Sequence, residues 1–252
     1  AEYALSTAST TAHKPTTLSF TAAAAIPLAA QSALQSLQRG DAKIGLAGKT
    51  VFIGGALSAT GSFGVQLAKN VFGARRVVST VSAAKMGILE ERLGDGVVDV
   101  VVDYQGGVRD VVRRVGRGSV DFMYDNTGMT ASLGGLGMMR EGGVVVSVTT
   151  VPSGGMTREA RPEVGAWLVF LLDVVDWFLR VWTWWEGVDY SPLLTVPAGK
   201  DLEMLARWVD EGRIRPVVGR QAVLSDVEGV RRGCQEVLDG KGGVGKFVIN
   251  ID

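Results

Sequence analysis

The sequence predicts an α/β protein built on a doubly wound parallel sheet. Three observations carry that prediction. Short β-branched runs are almost continuously apolar, as in Val97-Val98-Asp99-Val100-Val101-Val102. Amphipathic stretches of two or three turns separate them, and many of the 34 glycines among 252 residues fall where the two kinds of segment meet. Strands without polar alternation are covered on both faces, which is the habit of parallel sheets, and the helices between them make right-handed crossovers.

Each element follows from its residues. Ser19 caps a helix over 22–38, interrupted at Pro27 and ended by Gly40. A first strand is predicted at 50–54, then a loop of small residues and a helix over 63–72 with Val65, Leu67, Ala68 and Val71 on one face. Strands at 76–81, 97–103, 120–125 and 143–149 alternate with helices at 84–93, 108–115 and 132–139. Beyond Thr150 the rhythm changes. An aromatic helix is predicted over 164–185, followed by an apolar segment at 193–196, a helix at 201–211, a strand at 213–218, a helix at 227–239 and a closing strand at 246–251. This tail supplies either the last strands of the sheet or the return leg of a neighbouring domain.

Composition excludes several functions. The 26 Lys+Arg balance the 26 Asp+Glu, so no basic field gathers nucleic acid. Cys234 is the one cysteine and His13 the one histidine, which forbids an intrachain disulfide and leaves too few soft ligands for a structural zinc site. Nothing in residues 1–14 has the basic start and apolar run of a secretory signal. The chain begins with Ala rather than Met, which reads as a processed or shortened start. Segment 164–185 carries Asp173, Asp176 and Arg180 on one stripe, and each charge would cost roughly 2.5–3.5 kcal/mol in a bilayer, so a transmembrane span is not expected. The same spacing suits a water-exposed amphipathic helix with a wide apolar face.

The chemistry gathers in the loop after the first strand. Gly55, Ala56, Leu57, Ser58, Ala59, Thr60 and Gly61 form a turn of mostly small residues entering a helix, where backbone N–H groups and the helix dipole meet a pyrophosphate. An NAD site usually carries an acidic residue about 20 residues further on. Here no Asp or Glu occurs from Ser62 to Leu89, while Lys85 and the Ser82 hydroxyl stand after the second strand, a pattern that suits the 2′-phosphate of NADP(H). Asn126, Thr127 and Gly128 follow the buried strand ending at Asp125 and read as cofactor contacts at the carboxyl edge of the sheet. The later run Gly240-Lys241-Gly242-Gly243-Val244-Gly245-Lys246-Phe247 imitates an NTPase phosphate loop. It has a helix before it, a strand after it and Phe247 in place of the hydroxyl, so it is expected instead to bring a tight turn into the cofactor cleft. His13 reads as a surface residue and Cys234 as packing, and no catalytic residue is assigned.

With these residues the chain resembles the medium-chain dehydrogenase/reductase superfamily, in its zinc-free quinone oxidoreductase-like branch. Residues 1–4, His13-Lys14-Pro15 and 18–28 are similar to the lead into that family's Rossmann domain, and 55–61 stands where relatives carry an A-S-G-G-V-G type loop. Val65-Gln66-Leu67-Ala68-Lys69 matches the helix after it. The resemblance implies that Tyr104, with Ser82 and Lys85, surrounds the 2′-phosphate and that Val148 and Thr149 flank the nicotinamide. It also implies that most of an N-terminal GroES-like substrate domain is missing. On this division residues 1–20 are a remnant of that domain, 21–212 the NADP(H)-binding Rossmann domain, and 213–252 a return segment. Where relatives have glycines, Ser58 and Ala59 stand, so backbone approach would be looser, although the Ser58 hydroxyl could itself donate to phosphate.

The activity so implied is hydride transfer from NADPH to a quinone or α,β-unsaturated carbonyl, without zinc, in the cytoplasm. The partner is a small apolar carbonyl compound or quinone. Family members are commonly dimers, and the aromatic helix offers a surface to a second copy, to the absent domain or to lipid. Two other readings stay open: a shortened scaffold that binds nucleotide or partners without turnover, and a non-redox enzyme using the exposed cleft.

Overall fold

A computed structural model describes residues 4–128, 134–241 and 243–251. Its centre is a parallel sheet of six strands, β1 (Thr50–Ile53), β2 (Arg76–Val81), β3 (Val100–Asp103), β4 (Val120–Asp125), β5 (Met139–Ser147) and β6 (Asp189–Pro192), in the order β3-β2-β1-β4-β5-β6. That order puts the switch in winding between β1 and β4, where open α/β sheets leave a crevice at their carboxyl ends. Every residue of β1 and β4 is buried, the polar Thr50, Asp121 and Asp125 included, as strands covered on both faces require.

Helices α1 (Phe20–Ala23), α2 (Pro27–Ile44), α3 (Ala59–Asn70), α4 (Leu89–Leu93), α5 (Val108–Val115), α6 (Gly154–Ala160), α7 (Ala166–Trp185), α8 (Gly199–Asp210) and α9 (Val227–Leu238) complete the described elements. One face of the sheet is covered by Leu34 and Leu37 of α2, Phe63 and Leu67 of α3, and Leu205 of α8, all buried. The other is covered by Val111, Val112 and Val115 of α5, and Leu179 and Trp182 of α7 pack against the same buried cluster. Strands β7 (Val218–Val223) and β8 (Lys246–Asn250) form a separate parallel pair.

Several expectations shift. Ser19 does cap α1, accepting from the Ala22 N–H at 3.2 Å, and Pro27 opens α2. Gly40, however, sits inside α2, and Gly45 ends the helix at φ +61°. A Cβ on Gly40 would lie 2.2 Å from the Phe122 ring, so this glycine permits close packing of helix on strand rather than termination. The expected helix at 84–93 starts as a 3-10 turn, Ala83–Ile88, before α4. Of the helix expected at 132–139, residues 132 and 133 lie outside the described residues, and the rest is a 3-10 turn, Gly135–Met138, running into β5. The last sheet strand, β6, was not expected and ends just before the apolar segment at 193–196, and β7 begins where the expected strand at 213–218 ends.

Helix α7 departs from the usual amphipathic arrangement. Its charged residues are tied locally: Asp173 accepts from the Gly155 N–H at the start of α6, and the largely covered Asp176 pairs with the exposed Arg180 at 2.7 Å. Trp167, Phe170, Trp177, Phe178, Trp184 and Trp185 are each more than half exposed. No helix of the described residues is long and apolar enough to cross a membrane.

Candidate functional site

The first crossover turn is shaped by three glycines. Gly55 adopts φ +61°, a left-handed conformation that glycine enters without steric cost, and its N–H donates to Thr80 Oγ1 at 2.9 Å. Ala56 N–H donates to the Thr80 carbonyl at 3.0 Å, so the turn is tied to the end of β2. A Cβ on Gly61 would stand 2.1 Å from the Gly55 carbonyl oxygen, and one on Gly54 would stand 2.4 Å from Thr127 Oγ1. The turn therefore folds back on its own helix because Gly61 has no side chain.

Ser58 is the N-cap of α3. Its Oγ accepts from Gly61 N–H at 3.0 Å, which leaves the Ala59 and Thr60 amides without an intrahelical partner at the positive end of the helix dipole. The hydroxyl anticipated as a phosphate donor thus first serves as a cap acceptor, while its own proton stays available.

A cavity of about 560 Å³ opens beside this turn. Gly55, Leu57, Ser58, Ser82, Lys85, Tyr104, Thr127 and Gly128 line it, all of them anticipated from the sequence. Lys85 is the one charged side chain among the described lining residues. The remaining predicted positions support the cavity or lie beside it. Ala56 is fully buried beneath the turn, Thr60 Oγ1 accepts from Asn126 Nδ2 at 3.1 Å, and Gly61 is buried in the first turn of α3. Ala59 lines an adjoining cavity of about 510 Å³. Thr149 lines a third cavity beyond β5, and Val148 packs against the core. Asn126 Oδ1 is buried and has no partner among the described residues, which makes it an acceptor free for a ligand hydroxyl.

The run 240–245 also reaches this site. Gly240 and Gly243 line the cavity, the Gly243 carbonyl accepts from Lys85 Nζ at 2.9 Å, and Gly245 N–H donates to the Leu57 carbonyl at 2.7 Å. The tight turn expected there is present, but its bond to Lys85 joins residues 158 positions apart and leaves no local signal. His13 is exposed, beside a separate groove lined by Phe20 and Leu202. Cys234 is exposed on α9, contrary to the packing role expected for it. The buried neighbour is Gly233, whose missing side chain makes room for the Phe247 ring.

At the carboxyl ends of β4 and β5, buried Asp125 accepts hydrogen bonds from Ser147 Oγ at 2.9 Å and Thr149 Oγ1 at 3.2 Å. Burial pushes the Tyr190 hydroxyl above its ordinary pKa, against the pull of its bonds to Thr150 and Ser147. Tyr124, deeper under the turn, is pushed up by burial in the same way. Both phenols are therefore neutral donors at physiological pH. Among the described residues no three His, Cys, Asp or Glu side chains gather as a metal-ligand set.

Comparison with known proteins agrees with this geometry. The family profile described as zinc-binding dehydrogenase matches residues 72–248. The chain is 34% identical over 150 residues to a 2-methylene-furan-3-one reductase of Solanum lycopersicum, covering 59% of this chain and 35% of that protein. It is 28% identical over 229 residues to the mitochondrial NAD(P)H oxidoreductase RTN4IP1 of Mus musculus, covering 90% of this chain and 55% of that one. The fold matches the quinone oxidoreductase of Coxiella burnetii with a TM-score of 0.70 at 24% identity, over 95% of this chain and 63% of that chain. The chain therefore spans about half the length of the curated relatives it matches. Sheet order, glycine turn and profile converge: the chain belongs to the zinc-binding dehydrogenase family, within the medium-chain dehydrogenase/reductase superfamily.

Proposed function

We propose that the chain binds NADPH in the 560 Å³ cavity and serves the reduction of a quinone or an α,β-unsaturated carbonyl compound. The observation that carries this is a cavity reaching from Gly55 and Ser58, the N-cap of α3, to Lys85, with no carboxylate among its described lining residues. The Ala59 and Thr60 amides would meet the pyrophosphate. Lys85, with Ser82 and Tyr104, would hold the 2′-phosphate, Asn126 Oδ1 would accept from a ribose hydroxyl, and Val148 and Thr149 would border the nicotinamide. When bound, the dihydronicotinamide supplies a hydride, and the protein orients it and excludes water. A proton from solvent completes the saturated product.

A titration of NADPH and NADH against wild type and Lys85→Ala tests the assignment. A charge-assisted contact is worth about 1.5–3 kcal/mol, so the variant is expected to weaken NADPH by roughly ten- to a hundredfold and NADH by much less. Equal loss for both coenzymes would refute the role of Lys85. NADPH binding without oxidation by a simple quinone would instead favour the scaffold reading.

On the same resemblance the proposal extends to a zinc-independent reaction, a cytoplasmic setting, a homodimer, and the division of the chain at residues 20 and 212. The detachment of β7 and β8 from the main sheet supports the last of these.

A further inference from the structure

Beyond β5 lies a cavity of about 290 Å³ between α7 and the carboxyl ends of β5 and β6. We propose that it is the site for the substrate carbonyl, with the Thr150 hydroxyl as the hydrogen-bond donor to the carbonyl oxygen and a short apolar tail packed on Leu136, Leu179 and Trp182. The inference rests on the coenzyme reading above and names where its substrate sits.

Its position comes first. A dinucleotide reaching from Lys85 to Thr127 and Gly128 ends beside the edges of β4 and β5, and Thr149 at that edge lines this second cavity. A molecule held there adjoins the end of the coenzyme remote from its 2′-phosphate. The volume, near the lower end of the roughly 300–1,000 Å³ usual for ligand sites, admits a small molecule rather than a polymer.

The chemistry of the lining selects a carbonyl. Leu136, Val151, Leu179 and Trp182 give apolar walls, and Thr149, Thr150, Thr183 and Tyr190 bring hydroxyls to the lining. Two of the nearby hydroxyls are committed: Ser147 and Thr149 both donate to Asp125. Thr183 donates to the Arg180 carbonyl inside α7. Thr150 differs. Its Oγ1 accepts from the Tyr190 hydroxyl, and its own proton has no acceptor among the described residues. A hydroxyl that already accepts one hydrogen bond donates a stronger one, because the chain polarises it. Tyr190 is almost fully buried and cannot turn to solvent, so it keeps the Thr150 oxygen in place as a positioning residue. The lining holds no cation for a carboxylate or phosphate and no anion for an amine, which leaves a neutral acceptor with an apolar tail, such as a small ketone, enone or quinone.

The test uses 2-heptanone, a ketone with no reducible C=C bond, followed by methyl NMR on the purified chain with and without saturating NADP⁺. Shifts are expected at the Leu136, Val151 and Leu179 methyls. Thr150→Val keeps the shape, removes the donor and should weaken the ketone at least fivefold, Tyr190→Phe about threefold, while Thr150→Ser restores binding. No shift at these methyls in either condition, or unchanged affinity in a folded Thr150→Val chain, would overturn the site. NADPH affinity is read separately: its absence with ketone binding intact would remove the coenzyme reading and leave the pocket, and the reverse outcome would do the opposite.

Discussion

Gly61 shows how much rests on one missing methyl group. With the Gly55 carbonyl 2.1 Å from where its Cβ would stand, Gly61→Ala must open the turn, and the obstruction is backbone rather than a yielding side chain. Overpacking of this kind costs about 1–3 kcal/mol, so we expect a lower melting temperature together with at least tenfold weaker NADPH binding. Thermal melts and titrations on one sample would check both. An unchanged NADPH affinity would mean that the turn does not seat the coenzyme. This residue was legible in the sequence because small residues between an apolar strand and a helix have few other uses. Lys85 was legible as a cation but not as the partner of Gly243, since nothing local records a contact across 158 positions.

Elements differ in how openly their residues announce them. Strands β2 and β4 and helix α5 fall at the bounds predicted for them, because each is a mainly β-branched or aromatic run, or a clean helical face, between turn residues. Strand β6 was not expected because Asp189-Tyr190-Ser191-Pro192 has no apolar run, and Pro192 would be excluded from a central strand. As an edge strand paired only with β5, it needs neither. The junction of α3, β2 and β3 has a testable pH dependence. Burial alone would raise the Asp99 carboxyl, but bonds from Lys69 and the Val77 N–H hold it below its ordinary value of 3.8. A carboxylate depressed in the folded state stabilises above its unfolded pKa and loses that effect as pH falls through the folded value. Asp99→Asn should therefore lower the melting temperature at pH 6, with the gap to wild type closing as pH falls below 3.8. A gap that persists unchanged at acid pH would assign the effect to packing.

On the scale of the molecule, the outward aromatic face of α7 is the surface that the sequence offered to a second copy, an absent domain or lipid. Asp173 is tied to α6 and Asp176 to Arg180, while the rings face out. At roughly 150–250 Å² per aromatic side chain, more than half exposed, the face presents upwards of about 500 Å² of apolar surface, approaching the roughly 800 Å² each partner contributes to a standard interface. If the proposed homodimer uses it, sedimentation velocity should show a concentration-dependent dimer that Phe178→Glu with Trp184→Glu converts to monomer. A dimer unmoved by both changes would place the interface elsewhere.

The stitching of the turn after α9 to the turns after β1 and β2, through Gly245 to Leu57 and Gly243 to Lys85, has a genetic corollary. Alleles altering Gly245, which holds φ +68° against the Val217 carbonyl, lie far from any recognised fingerprint. They should nonetheless be inherited as coenzyme-affinity defects, and a screen confined to the glycine signature would overlook them.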